Sequence, residues 1–368
     1  MRGRLLVVSH AAVLPANQPV YAELMRLGWE PTVVVPARWR HVYSPGPVGA
    51  AALPELETCL RPIPVAFAGR PQRHVYRTRP GRLLRRLRPV AAFLEEEPFS
   101  IPALQWGLSL HRAGVPFGIH TWENLDRPFP APARAIRRVV LDRASFVAAR
   151  SPAAAALVRR FGPRGEVGVA RHGVVPQEAI ATKNGTFTVG YAGRLVEQKG
   201  VNDLVEAAAR LGGGVRLLLV GDGPLRAGVE TRAPGVEIEV LDDMSHERMH
   251  EAYGRMDVLV LPSRTTPHWA EQFGRVLVEA MACGVPVIGS DSGEIPWVIR
   301  ETGGGVVFPE GDIEALRSAL ERLREDGGER DLLARTGRAA VESRFGIRAA
   351  AEALDALLVR AIERGAHG

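Results

Sequence analysis

Residues 190–200, GYAGRLVEQKG, set Gly193, Arg194, Lys199 and Gly200 between an apolar run and a helical pattern. Small residues there let a phosphate approach and two cations can flank it, the outline of a diphosphate clamp. The same residues also suit a surface loop with two solvated charges. A second glycine turn, LVGDGPLR at 219–226, follows another apolar run. Arg226 stands where a GxGxxG fingerprint needs its third glycine, so a dinucleotide site is excluded, while a base or ribose can still approach. The richest segment is 262–299, PSRTTPHWAEQFGRVLVEAMACGVPVIGSDSGEIPWVI. There Glu271 and Glu279 stand eight residues apart, with Phe273 and Gly274 directly before an apolar helical run. A helix starting near Gly274 would present unbonded N–H groups and its positive end to an anionic leaving group. Glu279, inside that helix, suits a pair of vicinal hydroxyls, and Glu271, ahead of it, would face what lies beyond the phosphates.

Strand ends must hold these groups. In the second half, apolar runs at 187–191, 215–220, 236–241, 258–261 and 285–289 read as strands. Helical patterns at 201–211, 247–255 and 274–282, and from Ile313 onward, alternate with them. That alternation predicts a parallel sheet covered on both faces, with ligands at the carboxyl ends of its strands. The first half repeats the rhythm less distinctly, with strands at 4–9, 32–35, 115–120 and 145–148 and a helix at 21–27. Residues 176–186, PQEAIATKNGT, carry turn chemistry at Asn184-Gly185 and read as a linker. The expected fold is α/β with two Rossmann-like domains, 1–181 and 182–346. The one-sided apolar helix 347–368 is expected to rejoin the first.

Taken together, Gly193-Arg194 with Lys199, the GDGP turn at 221–224, the Glu271–Glu279 spacing and the run EAMACGVPVI resemble glycosyltransferase family 4 over about residues 187–345. These are retaining nucleotide-sugar transferases of the GT-B fold. The resemblance implies an N-terminal acceptor domain and a C-terminal donor domain, their parallel sheets facing across a cleft. It implies that Arg194 and Lys199 hold the donor diphosphate, that Glu279 binds the ribose hydroxyls and that Glu271 touches the transferred sugar. Phe273 and Gly274 lie where members offer backbone N–H groups, and backbone near Gly221 and Leu241 reads the base. Gly193 and Arg275 complete the implied donor-binding set. In the first domain, His120 of GIHTWEN resembles the histidine placed against the sugar, so His120, Glu271, Arg194 and Lys199 form the implied catalytic set. VAARSPAAAALVRRFG at 147–162 and ARHGVV at 170–175 resemble the family's serine-led helix start and linker entry. The loop SHAAVLPANQP at 9–19 departs from the family, lacking the glycine pair that many members carry there.

The implied reaction is hexosyl transfer from a nucleoside-diphosphate sugar to a lipid, glycan or small-molecule acceptor, as in building a cell-envelope glycan. Arg194, Lys199 and the helix start would stabilise the departing diphosphate. No metal or other cofactor is expected, and the sequence holds no Asp-x-Asp. Retention, with the departing phosphate taking the acceptor's proton, follows from the resemblance. A sugar-nucleotide epimerase and a catalytically silent sensor would share the same pocket. His246-Glu247-Arg248-Met249-His250 is a literal HExxH, the zinc-protease motif. With Ser245 as N-cap, however, His246 falls in an exposed first turn and no third ligand follows.

At 368 residues, 46% apolar and 24% charged, the chain can bury two cores, which excludes disorder, collagen and coiled coil. Its start, MRGRLLVVSH, reads as a buried strand at 5–8 and not as a secretory signal. No apolar stretch approaches the roughly 18–20 residues of a spanning helix. Cys59 and Cys283 form no ligand spacing, so a reducing, cytoplasmic setting is expected. Residues 1–181 hold 25 arginines against 12 acids, a net of +13, whereas 182–368 hold 22 basic and 29 acidic residues, a net of −7. No acid occurs from Thr58 to Leu94, a stretch containing Arg77, Arg79, Arg82 and Arg86 among other arginines. This region reads either as peripheral contact with an anionic membrane at its inner face or as a solvated basic surface. No interleaved aromatic platform supports nucleic acid as a partner.

Overall fold

Leu5, Leu6, Val7 and Val8 are all buried, a pattern that only a strand covered on both faces allows. The computed structural model describes residues 2–40, 46–176, 185–229, 233, 235–242 and 244–366. It divides into one unit of Met1–Gly173 with Ile347–Gly368 and a second of Val174–Gly346.

The first unit contains β1 (Gly3–Ser9), β2 (Trp29–Pro36), β3 (Arg38–Arg40), β4 (Pro47–Gly49), β5 (Leu60–Ile63), β6 (Val65–Ala66) and β7 (Val75–Tyr76). It continues with β8 (Ala91–Glu95), β9 (Phe117–Thr121), β10 (Phe146–Ala149) and β11 (Glu166–Val169). Among the described residues its main sheet is parallel, in the order β11-β10-β9-β8-β1-β2-β5, with β3/β4 and β6/β7 as small antiparallel pairs. Register aligns the carboxyl ends: Ser9 opposes Glu95, and Thr121 opposes Ala149. Alternate side chains feed two cores, one with Leu5, Val7 and Phe93, the other with Leu6, Val8 and Trp106.

The second unit contains β12 (Phe187–Ala192), β13 (Val215–Val220), β14 (Glu237–Leu241), β15 (Val258–Leu261), β16 (Val287–Ser290) and β17 (Gly305–Phe308). They form a parallel sheet in the order β14-β13-β12-β15-β16-β17, and the order reverses direction at β12. Ligands of doubly wound sheets bind at such a reversal.

The Val174 N–H donates to the Phe345 carbonyl at 2.9 Å, so the second unit begins at Val174, ahead of residue 182. Of the anticipated linker 176–186, residues 177–184 lie outside the described residues. After the helix Gly327–Ala340 and a π-helical turn, Val341–Phe345, the helix Ile347–Ala366 belongs to the first unit. Ala351, Leu354, Leu357 and Leu358 enter the core beneath β1 and β8, and Trp29 Nε1 donates to Asp355 Oδ1 at 2.8 Å.

Two of the differences from expectation bear on the polar clusters. Strand β8 was absent from the sequence pattern because its apolar run of four residues leads straight into three glutamates. The helix expected at 247–255 is instead a 3-10 turn, His246–Arg248, followed by a short helix, Met249–Tyr253, and the Ser245 side chain makes no capping bond.

Candidate active site

In the second unit, three neighbouring strand ends form a staircase. The Gly193 N–H donates to the Val220 carbonyl at 2.9 Å, and the Gly221 N–H to the Leu241 carbonyl at 2.8 Å. That Gly221 N–H is therefore spent inside the sheet end. Gly221 has φ 137°, and a Cβ added there would lie 2.1 Å from the Gly193 carbonyl oxygen, so only glycine permits the two loops to touch.

Lys199 ends a 3-10 turn, Glu197–Lys199. Gly200 follows with φ 67°, where a Cβ would lie 1.8 Å from the Pro262 carbonyl oxygen. The loop after β12 thus rests on the loop after β15. Arg264 clamps this arrangement: its Nε and Nη2 each donate to Asp203 at 2.7 Å, and its backbone N–H donates to Gln198 at 2.9 Å. Lys199 Nζ then reaches Glu271 Oε2 at 2.6 Å, lies 5.0 Å from the Trp269 ring centre, and shares that oxygen with the Ser263 hydroxyl at 2.7 Å. Ser263 and Glu271 are both buried. Arg194 is exposed, and among the described residues its guanidinium has no ion pair. Its carbonyl accepts the Tyr191 hydroxyl at 2.6 Å, which fixes the backbone of the loop.

Gly274 is the N-cap of the helix Arg275–Ala282, with φ 73°, no side-chain cap and no acid in the first turn. Its positive end is therefore not neutralised locally. Phe273 before it is buried beside the Trp297 and Phe345 rings, at 6.2 and 6.1 Å. Glu279, one turn on, accepts the Tyr253 hydroxyl on Oε2 at 2.9 Å and meets Arg275 Nε on Oε1 at 2.6 Å. His246 Nε2 lies 2.7 Å from Arg275 Nη2 and 4.0 Å from Glu279 Oε1. Burial holds His246 below its ordinary range. The His246 ring nitrogen thus faces a guanidinium. Among the described residues no group of three or more His, Cys, Asp or Glu side chains is arranged to hold a metal ion. His246 thus adjoins Arg275 and Glu279, a neighbourhood that the motif reading obscured.

The first unit gathers a second polar cluster at its carboxyl edge. Glu95, the last residue of β8, accepts the Ser9 hydroxyl at 2.7 Å, Arg150 Nη2 at 2.7 Å, and the Tyr21 hydroxyl. His120, on β9, is buried, with Nδ1 3.5 Å from Arg150 Nη2 and 3.9 Å from Glu95 Oε1. Burial, with Arg150 beside it, pushes His120 well below the usual imidazole range, so it is neutral. Glu96 accepts both the His10 backbone N–H at 3.1 Å and the His10 ring Nδ1 at 2.9 Å. Glu97 accepts the Thr121 hydroxyl at 2.8 Å and the Trp122 N–H at 2.7 Å, and burial pushes its carboxyl up to about 7. Sequence reasoning found His120 alone of this cluster.

Farther along the same unit, β7 and the helix Pro80–Leu87 line a pocket of about 760 Å³ with Arg77, Arg79, Arg82, Arg86 and Gln105. Among the described residues no helix is long and apolar enough to cross a membrane.

Two curated relatives match about the same region. The chain is 31% identical over 176 residues to the capsular polysaccharide biosynthesis glycosyltransferase CapM of Staphylococcus aureus, covering 44% of this chain and 43% of that protein. It is 33% identical over 168 residues to the lipopolysaccharide core biosynthesis glycosyltransferase LpsE of Rhizobium meliloti, covering 45% and 48%. The match thus spans less than half the length of either relative. Among solved structures, the sucrose-phosphate synthase of Thermosynechococcus elongatus superimposes with a TM-score of 0.73 at 18% identity, covering 98% of this chain and 100% of that one. Anabaena HepE in complex with UDP superimposes with a TM-score of 0.70 at 17% identity, covering 98% and 100%. The fold is GT-B, and residues 177–340 match the family model of glycosyl transferases group 1.

Proposed function

We propose that the chain is a glycosyltransferase of family 4 that moves a hexosyl group from a nucleoside-diphosphate sugar to a lipid, glycan or small-molecule acceptor, with retention and without a metal. The observation that carries this reading is the meeting of Lys199, Glu271 and Ser263 at the reversal of the second sheet, with Arg194, which has no ion pair among the described residues, in the same loop as Lys199. A diphosphate arriving there competes with Glu271 for Lys199 and gains Arg194 without breaking an ion pair. Glu271, relieved of its cation, then presents a carboxylate to the hydroxyls of the sugar. As the anomeric C–O bond breaks, Lys199, Arg194 and the helix start at Gly274 take up the charge developing on the diphosphate. Arg264, Gly200 and Gly274 fix the backbones that carry these groups beforehand, so only the Lys199–Glu271 side-chain pair rearranges.

The glycosyltransferase names of the relatives and the UDP bound to HepE support a nucleotide-sugar donor, and the capsular and lipopolysaccharide roles in those names support a cell-envelope acceptor. The arginine-lined pocket supports peripheral contact with anionic lipid on the cytoplasmic face. An epimerase or a silent sensor would share the donor site and differ only in whether sugar reaches an acceptor. A thermal-shift and hydrolysis screen over uridine, guanosine and adenosine diphosphate sugars tests the reading. We expect one donor to raise the melting temperature and to be slowly hydrolysed. Binding without any turnover would favour the sensor, and no binding at all would overturn the donor site.

A further inference from the structure

The helix Pro80–Leu87 turns one face to the core and another, of arginine, outward. Leu84 is buried and packs with Tyr76 and Trp106, whereas Arg82 and Arg86, one turn apart, are exposed and line the pocket of about 760 Å³. Arg77 and Arg79, on the chain between β7 and that helix, complete the basic lining. Gln105 pins the wall: its Oε1 accepts the Tyr76 N–H at 3.1 Å and its Nε2 donates to the Tyr76 carbonyl at 2.8 Å. Among the described residues none of these four guanidiniums has an ion pair or hydrogen bond. Arginines elsewhere are paired, Arg127 with Glu123, Arg264 with Asp203, Arg317 with Glu314 and Glu321, and Arg360 with Glu166. Abundance of arginine therefore does not explain the pocket. No acid occurs from Thr58 to Leu94 to neutralise it. Like charges at i and i+4 destabilise a helix, so Arg82 and Arg86 carry a repulsion that an anion relieves.

We propose that this pocket binds a terminal phosphate group, the doubly charged end of a phosphate monoester. Such a group carries about −1.5 to −2 at pH 7 and three accepting oxygens, so guanidinium forks can meet it from several sides. A phosphodiester offers one charge and two such oxygens, and matches four cations less well. Small-molecule sites span roughly 300–1,000 Å³, so the pocket also has room for the group that bears the phosphate. This chemistry reaches the protein either on a lipid headgroup or on a free sugar or polyol phosphate. The strand pair favours the lipid: β6 lies beside β7, with Ala66 opposite Val75 of the pocket wall, and the next residue, Phe67, is 60% exposed with φ 59°. A bulky side chain is strained in that left-handed region. An exposed aromatic on the strand pair that carries the pocket suits the boundary between headgroups and acyl chains. The inference narrows the anionic-lipid contact proposed above from charge in general to one headgroup chemistry, and it rests on the first unit alone.

The probes are phosphatidylcholine vesicles carrying phosphatidic acid or phosphatidylglycerol, matched in zeta potential, and soluble glycerol 3-phosphate. Phosphatidic acid ends in a phosphate monoester, whereas phosphatidylglycerol is a diester. We expect the wild-type chain to bind the phosphatidic acid vesicles at least ~10-fold more tightly than the matched ones, and glycerol 3-phosphate to compete for them. Arg82→Gln/Arg86→Gln keeps good helix formers and should abolish that preference. Arg73→Gln/Arg85→Gln removes the same charge from exposed positions outside the pocket lining and should retain it. Thermal melts establish that each variant is folded. Phe67→Ser should weaken binding to both vesicles and leave the calorimetric Kd of glycerol 3-phosphate within twofold. Equal binding of the two vesicles by the wild type, or a preference that survives Arg82→Gln/Arg86→Gln, overturns the pocket's role and leaves a contact through general charge standing. Binding of glycerol 3-phosphate that Arg82→Gln/Arg86→Gln loses, with no binding of vesicles, supports the pocket, makes a free phosphate its source and overturns the lipid contact. No binding of any probe overturns both.

Discussion

At the scale of the residue, burial decides which polar groups carry charge. Glu95, Glu96 and Glu97 are consecutive, yet their surroundings differ: Arg150 meets the first, His10 the second, and only hydroxyl and amide donors the third. With no cation in direct contact, Glu97 is pushed up from 4.5 to about 7. A carboxyl with a raised folded value binds more protons folded than unfolded, so stability falls as pH rises through that window. The lost contribution is about 3 kcal/mol between pH 4.5 and 7. Urea denaturation at pH 5 and pH 8 should show Glu97→Gln narrowing the difference between the two pH values by about that amount; an unchanged difference would mean Glu97 is ionised throughout. None of this was legible beforehand. Three adjacent acids resemble a solvated charge run, and only pairing with strands on either side shows that they end a buried strand. By contrast Lys199 and Glu271 were legible individually, because each follows or precedes a recognisable strand or helix, although their direct ion pair was not.

At the scale of the element, the site is a property of where strands stop. Apolar runs located β12, β13 and β15 within a residue of their ends, because fully buried parallel strands have no polar face to blur the pattern. Edge strands such as β11 and β17, and β8 with its acidic end, lack that signature. The His246–His250 motif failed for the converse reason: a local pattern of five residues cannot show that the backbone changes from a 3-10 turn to an α-helix within it. Contact between the β12 and β13 loops sets a sharp test. Gly221→Ala places a methyl 2.1 Å from the Gly193 carbonyl, which should cost about 1–3 kcal/mol in stability. It should also weaken donor binding by displacing Arg194. Calorimetric titration beside urea denaturation checks both, and wild-type values in each would show that the loops are not held together.

At the scale of the whole molecule, the −7 balance of residues 182–368 means that anion binding there depends on a few placed cations and not on general charge. Lys183 lies outside the described residues, so Lys199 is the lysine that this unit offers among those described. The first half, at +13, concentrates its surplus in arginines along 70–88. The division into two α/β units was legible from rhythm alone, whereas the return of Ile347–Ala366 to the first unit shows only as one apolar face. Everything turns on the cations of the second unit. The most direct measurement is calorimetric titration of the folded Arg194→Ala/Lys199→Ala protein with the nucleotide sugar that binds the wild type. Losing two charge-assisted contacts, each worth about 1.5–3 kcal/mol, should weaken Kd by about 100-fold or more. An unchanged Kd in the folded double variant would contradict the account.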